Sequence, residues 1–393
     1  MQIYVVQPGD TVDAIAYRFG VDPATVTYVN QLEYPYPLTV GQALLILDNQ
    51  EILTRPGLVT NGYAYPFITQ NVLDETLPFL SELSVFSYGF TTDGSLIPPA
   101  LNEDFMIESA RTAGTKAILT LTPFGPDGKF NNTLIHQMLI NPSASNNLIQ
   151  SVLNKINEKG YSGADVDFEY ILAEDRELFA NFVADMTRTL NSYGYQVSVA
   201  LAPKTSSDQK GLLYEGKDYR LLGEAANKVL LMTYEWGYTY SEPMAVAPIN
   251  KVRQVVEYAL TQIPLEKITM GIPNYGYDWP LPYEKGVTRA TTIGCVEAVR
   301  LAVEKQSEIL FDTTAMTPYF YYEENGISHE VWFEDVRSIQ AKFDLVQEKG
   351  LPGVGYWQIM KLFLAGLIYV DNAFVIDKTP TVESASWKST NGR

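Results

Sequence analysis

Three carboxylates recur at every second position in the stretch Gly163-Ala164-Asp165-Val166-Asp167-Phe168-Glu169-Tyr170. Alternate residues of a β-strand point to one face. In that conformation Asp165, Asp167 and Glu169 form one file, while Val166, Phe168 and Tyr170 face the other way. Like charges a few ångströms apart repel and raise one another's pKa, an arrangement that a strand needed only for stability has no reason to carry. An exposed edge strand with a polar outer face is the bland alternative. The apolar residues between the acids weigh against it, because they make the strand read as buried. The file is therefore the first candidate for chemistry, as a source and acceptor of protons.

Such a file needs a scaffold that ends several strands at one place. Candidate strands occur at Leu58–Tyr63, Leu83–Gly89, Lys116–Thr122, Gly163–Glu169, Gln196–Leu201, Lys228–Tyr234, Lys267–Pro273 and Gly353–Trp357. Amphipathic stretches lie between them, among them Ser145–Lys159, Ala173–Tyr193, Val252–Gln262 and Asp335–Gly350. Eight buried strands with seven intervening helical segments, and a last helix from about Met360, predict a (β/α)8 TIM barrel over residues 52–378. An open doubly wound sheet is the alternative, but no Gly-rich phosphate loop follows the first strand. Catalytic residues of such barrels sit at the C-terminal strand ends. Glu169 would end the fourth strand, Tyr234 the sixth and Trp357 the eighth, all at one mouth.

Two carboxylates flanking a bond in an aromatic cleft make hydrolysis of a glycosidic bond the leading reaction class. The Cα atoms of Asp167 and Glu169 would lie roughly 6.5 to 7 Å apart along a strand. That spacing does not separate a retaining from an inverting geometry. Glu235 either contacts a neighbouring sugar or is a solvated rim residue, and Tyr63, Trp236 and Tyr275 are either cleft aromatics or core packing.

The remaining segments read as additions to this barrel. Between the seventh and eighth strands, residues 281–333 are too long for a loop. They carry a helix at Thr292–Lys305 and aromatic strands at Pro318–Glu323 and His329–Phe333, joined by the hairpin turn Glu324-Asn325-Gly326. A small α+β insertion is expected there. Residues 1–48 read as a separate βααβ unit: a strand at Ile3–Gln7, a helix from Thr11 to Phe19 stopped by Gly20, a helix near Pro23–Asn30 and a closing strand at Ala43–Leu47. A polar link, Asp48-Asn49-Gln50-Glu51, follows it, and residues 379–393 are polar enough to be expected as a flexible tail.

Composition narrows the partner. The chain has 393 residues, a formal charge of −18, 26 Tyr, 17 Phe and 5 Trp. That charge, with no Lys/Arg run, argues against nucleic acid or an anionic membrane, while the aromatic excess suits flat ligands such as sugar rings. The single cysteine, Cys295, excludes an internal disulfide. With only His136 and His329 and no Cys/His cluster, neither a metal site nor a cofactor is expected. Residues 1–6 have no basic n-region and no long apolar core, so no signal peptide is expected, and no apolar run reaches membrane-spanning length. A monomer is expected.

Two resemblances extend this reading. Tyr4-Val5-Val6-Gln7-Pro8-Gly9-Asp10-Thr11, Ile15-Ala16, Phe19-Gly20-Val21, Asn30, Leu38 and Gly41-Gln42-Ala43-Leu44-Leu45-Ile46 resemble the LysM carbohydrate-binding module. The resemblance implies weak binding to N-acetylglucosamine polymers, peptidoglycan or chitin, since one copy is present. The alternative is a cap with no ligand. Ser162-Gly163-Ala164-Asp165-Val166-Asp167-Phe168-Glu169 resembles the acidic signature of glycoside hydrolase family 18, the chitinase family. Met232-Thr233-Tyr234-Glu235 and Gly355-Tyr356-Trp357 match further strand ends. Departures are Ser162 for the outermost acid, Glu235 where the family usually has Asp, and Leu119-Thr120-Leu121-Thr122-Pro123-Phe124-Gly125 where Ser-x-Gly-Gly is common. With Asn274-Tyr275-Gly276-Tyr277-Asp278-Trp279, the combination is similar to the spore cortex-lytic N-acetylglucosaminidases of spore-forming bacteria.

What the resemblance implies is a retaining, substrate-assisted cleavage after N-acetylglucosamine, with association to a spore or cell wall. Glu169 would be the general acid and then the base, and Asp167 would hold the acetamido N–H. Asp165 would share a proton or hydrogen bond with Asp167, Tyr234 would donate to the acetamido oxygen, and Trp357 would floor the sugar. A chitin or chitooligosaccharide hydrolase is the second reading. A non-catalytic chitinase-like lectin is the third, and such lectins usually lack the acid that Glu169 supplies here.

Overall fold

The structure, a computed structural model, describes residues 1–48, 54–125, 128 and 130–378. The expected tail and the link after Asp48 lie outside the described residues. Eight parallel strands make a closed ring: Gly57–Ala64, Glu82–Phe90, Lys116–Leu121, Gly163–Val166, Gln196–Leu201, Lys228–Leu231, Ile268–Pro273 and Gly353–Trp357. The eighth pairs with the first, and the first with the second, so no edge is left open in the barrel. Helices pack outside it, among them Pro142–Lys159, Arg176–Asn191, Ile249–Gln262 and Val336–Lys349. Their ends follow local chemistry. Asn141 caps the first of these, Pro142 opens it where no N–H is needed, and Gly160 closes it with φ 80°.

Two strands end three residues short of expectation. The fourth strand stops at Val166, not Glu169, and the sixth at Leu231, not Tyr234. Past Val166 the Asp167 amide still bonds Leu121 O at 2.9 Å, and by Tyr170 the backbone has turned to φ 40°. Past Leu231 the chain folds on itself, with Thr233 N bonding Leu231 O and Tyr234 N bonding Met232 O. The acids and Tyr234 thus stand on the mouth of the barrel, just beyond its ladder.

The insertion also begins earlier than 281. Its first strand, Tyr275–Pro280, directly follows the seventh barrel strand. The junction is Asn274, whose side-chain amide donates to the carbonyls of Gln358 and Lys361 and breaks the strand there. Five antiparallel strands run in the order Thr291–Gly294, Tyr275–Pro280, Ile327–Trp332, Thr317–Glu324 and Leu310–Asp312. The expected helix starts at Cys295 and not Thr292, because Thr291–Gly294 pairs with the first strand. The hairpin turn is as expected: Glu324 pairs with Ile327, and Asn325 and Gly326 take φ of 51° and 79°. The last helix, expected from about Met360, spans Leu364–Ala373.

The N-terminal unit has strands Gln2–Val5 and Ala43–Ile46 in antiparallel register, with helices Val12–Phe19 and Pro23–Val29 between them. It is seated on the insertion and on the barrel helix that follows it. Ile309 N bonds Val40 O at 2.9 Å, Thr39 Oγ1 donates to Ser307 O at 2.7 Å, and Arg337 reaches Gly41 O at 3.1 Å. A cavity of about 340 Å³ lies along this seam, walled by Leu32, Pro37, Val299 and Val303 among others. Among the described residues no helix is long and apolar enough to cross a membrane.

Candidate active site

The acidic file stands as alternation requires. Asp165 lies within the fourth strand, is fully buried, and pairs in register with Ser198 of the fifth. Ser198 Oγ donates to its Oδ1 at 2.5 Å, and Tyr63 OH, from the first strand, donates to its Oδ2 at 3.0 Å. Burial and then repulsion by Asp167 push its pKa up to about 7, against the pull of those two hydrogen bonds. Asp167 is buried as well, and its Oδ1 has no hydrogen-bond partner. Burial and then the charge of Glu169 raise its pKa, while Lys217 opposes the rise. Glu169 is half-buried at the rim of the file, and burial raises its pKa also.

Aromatic groups complete the cleft, which encloses about 480 Å³. Tyr234 is buried beside the acids, and desolvation first, then the surrounding carboxylates, keep its phenol protonated as a donor. Its place depends on Gly271, where an added Cβ would lie 2.7 Å from the Tyr234 ring and 2.5 Å from Leu231 O. Trp357 packs edge-on against Phe86, with ring centroids 5.0 Å apart, and against Tyr65 at 6.2 Å. Glu235 is exposed in the cleft lining with φ 62°, and its Oε1 accepts from Tyr275 OH at 3.0 Å and Tyr277 OH at 3.3 Å. Those two tyrosines come from the insertion, so the inserted sheet fixes a carboxylate of the cleft.

Asp167, Glu169, Tyr234, Glu235 and Trp357 all line the cleft. Asp165, Tyr63 and Tyr275 stand behind that lining and act through hydrogen bonds to it or to one another. Trp236 is not brought in: its amide pairs with Val246 O, and its ring packs against the barrel core. Tyr170 reverses the expected facing, because its positive φ swings the side chain into the cleft beside Phe130. Tyr65, Phe86, Phe130, Tyr214 and Tyr238 also line it and were not singled out. Tyr65 follows Tyr63 at strand spacing and Phe86 lies within the second strand, so both carry a local signal; the loop residues carry none. Lys217 and Ser198 escaped as well. Among the described residues no cluster of His, Cys, Asp and Glu could hold a metal ion.

Known proteins share this architecture. The profile described as Glycosyl hydrolases family 18 matches residues 77–361, and that of the LysM domain matches residues 4–46. The cortical fragment-lytic enzyme of Bacillus subtilis (strain 168) is 36% identical over 96% of this chain and 100% of its own. The putative sporulation-specific glycosylase YdhD of the same strain is 33% identical over 96% of this chain and 89% of its own. The crystal structure of the spore cortex-lytic enzyme SleL of Bacillus megaterium QM B1551 superposes with a TM-score of 0.89 at 31% identity, covering 96% of this chain and 98% of that one. The (β/α)8 barrel, the acidic file at its mouth and these matches agree, and the chain belongs to glycoside hydrolase family 18, as a glycosidase with an N-terminal LysM domain.

Proposed function

We propose that this chain cleaves β-1,4 bonds after N-acetylglucosamine in spore-cortex peptidoglycan, with retention and with the substrate's own acetamido group as nucleophile. The observation that carries the mechanism is the Oδ1 atom of Asp167, a buried acceptor without a partner. A buried polar atom left unpaired costs about 1–3 kcal/mol, and a substrate N–H would relieve that cost. An acetamido N–H in this position leaves its carbonyl oxygen free to attack C1. Glu169, whose pKa burial raises, gives its proton to the leaving oxygen as the C1–O bond breaks. The acetamido oxygen bonds to C1, giving an oxazolinium whose positive charge Asp167 balances. Water then attacks C1, Glu169 takes its proton, and the ring reopens with net retention. Tyr234 donates to the acetamido oxygen, and Trp357 underlies the ring.

Support for the cortex as substrate comes from the relatives, two of which are named for it. The LysM domain would add contact with N-acetylglucosamine-containing glycan, and the site of action would be the spore or cell wall. The test is product release from cortex fragments and from chitin oligomers, side by side, for the native chain and Glu169→Gln, read by mass spectrometry. We expect reducing-end N-acetylglucosamine products from cortex, and at least a thousandfold loss in the variant, whose amide has no acidic proton to give. Cleavage of chitin alone would keep the mechanism and change the substrate. Binding without release by either protein would make the barrel a lectin.

A further inference from the structure

Among the described residues three lysines are buried, and two have ordinary reasons. Lys342 pairs with Glu334 at 2.7 Å. Lys204 points its Nζ at the backbone carbonyls of Ser207, Tyr214 and Lys217. Lys217 differs from both. It is 0% exposed, its Nζ donates to Ala200 O at 3.0 Å, and among the described residues it forms no salt bridge. A buried ammonium with so little direct compensation is costly unless negative charge stands nearby.

That charge is the acidic file. Asp165 pairs with Ser198 and Val166 with Val199 in the register of the fourth and fifth strands. Ala200, whose carbonyl holds the ammonium, comes next, level with Asp167 and its unpartnered Oδ1. Burial first lowers the pKa of Lys217, and Asp167, Glu169 and Asp165, in that order, raise it against that cost and so favour the ammonium. The loop that delivers Lys217 is pinned in place. A Cβ on Gly216 would lie 2.2 Å from Ile171 O, and the carbonyl of Lys217 is itself held by Lys204 at 3.0 Å. The side chain therefore enters the barrel from the mouth.

We propose that Lys217 is a positioning residue of this glycosidase site, whose buried ammonium keeps Asp167 ionised for the substrate while Glu169 keeps its proton. The proposal rests on the reading of the site given above. Without a positive charge, the neighbouring Asp167 and Glu169 have no reason to divide into one anion and one acid; with it, the anion settles at the level of the ammonium. Other charged and titratable groups face the file, and none supplies that charge. Tyr63 and Glu82 face Asp165, and Tyr234 and Glu235 face Asp167 and Glu169, all neutral or negative. Lys204 spends its donors on carbonyls of its own loop.

A neighbouring cation favours the ionised acids, so its removal raises the pH at which they lose their protons. Lys217→Met keeps the length and drops the charge; Lys217→Arg keeps the charge. In full-length protein labelled with 13C at Asp and Glu carboxyls, the titrations of Asp167 and Glu169 should move up by about one pH unit in Lys217→Met and stay near native in Lys217→Arg. The profile of kcat/KM against pH on cortex fragments should move with them, giving about a tenfold loss on its acid limb. Lys217→Gln, which retains a donor for Ala200 O, serves if the Met variant does not fold. Unmoved carboxyl titrations in a folded uncharged variant would overturn the proposal, as would an equal loss of rate at every pH. If the titrations move but even the native chain releases no sugar, the role of Lys217 stands and the substrate reading falls.

Discussion

Asp165 shows what the site costs the fold. Its carboxyl titrates near 7 in the folded chain against an ordinary value of 3.8, because burial and Asp167 disfavour its charge. A raised carboxyl pKa means that folded protein holds the proton more tightly than unfolded chain does. Stability is then full below about pH 4 and falls as pH rises through about 7, by on the order of 4 kcal/mol for this one group. Asp165→Asn removes the titration while leaving acceptors and donors for Tyr63 and Ser198. We expect its melting temperature to exceed that of the native chain at pH 8 and to match or fall below it at pH 4, with activity reduced at both. Thermal melts across this range check it, and a difference independent of pH would contradict the account. The file itself was legible because period-2 spacing is a local property. Its partners were not: Ser198 and Lys217 arrive from a neighbouring strand and the loop after it, and nothing in their local sequence marks them.

At the scale of elements, the strand ends matter more than the strands. Tyr234 reaches the cleft because the sixth strand stops at Leu231 and the seventh offers Gly271 beneath the ring. Gly271→Ala places a methyl against Leu231 O and Tyr234 together, and two backbones cannot part as a flexible side chain can. A loss of about 2 kcal/mol in stability and more than tenfold in kcat is expected. Denaturant melts and steady-state rates on the same preparation check both. Sequence pattern located all eight barrel strands but overran the fourth and sixth, because alternation of residue type continues past the last ladder hydrogen bond. The start of the insertion was hidden for another reason: Tyr275–Pro280 pairs only with strands that come later in the chain, so nothing local marks it as a strand of its own.

For the whole molecule, the seam between the LysM domain and the insertion is built and not incidental. Gly41 has φ 83°, and a Cβ there would lie 1.9 Å from Ile309 O. Gly41→Ala should therefore unseat the LysM domain while leaving the barrel intact. The expected sign is faster hydrogen exchange at the Ile309 amide, which donates to Val40 O, with kcat on short oligomers within twofold of native. Unchanged exchange would show that the seam tolerates the methyl.

Sequence alone determined the barrel, the βααβ unit, the acidic file and the reaction class, because periodicity, caps and turn residues act over a few neighbours. Tertiary structure decided which aromatics meet the cleft: Tyr170 and Tyr65 enter, Trp236 does not, and Tyr63 and Tyr275 stand one layer behind. It also decided that the acids lean on a lysine about fifty residues later in the chain. Burial, register and electrostatic coupling belong to the assembled fold, and no window of sequence contains them.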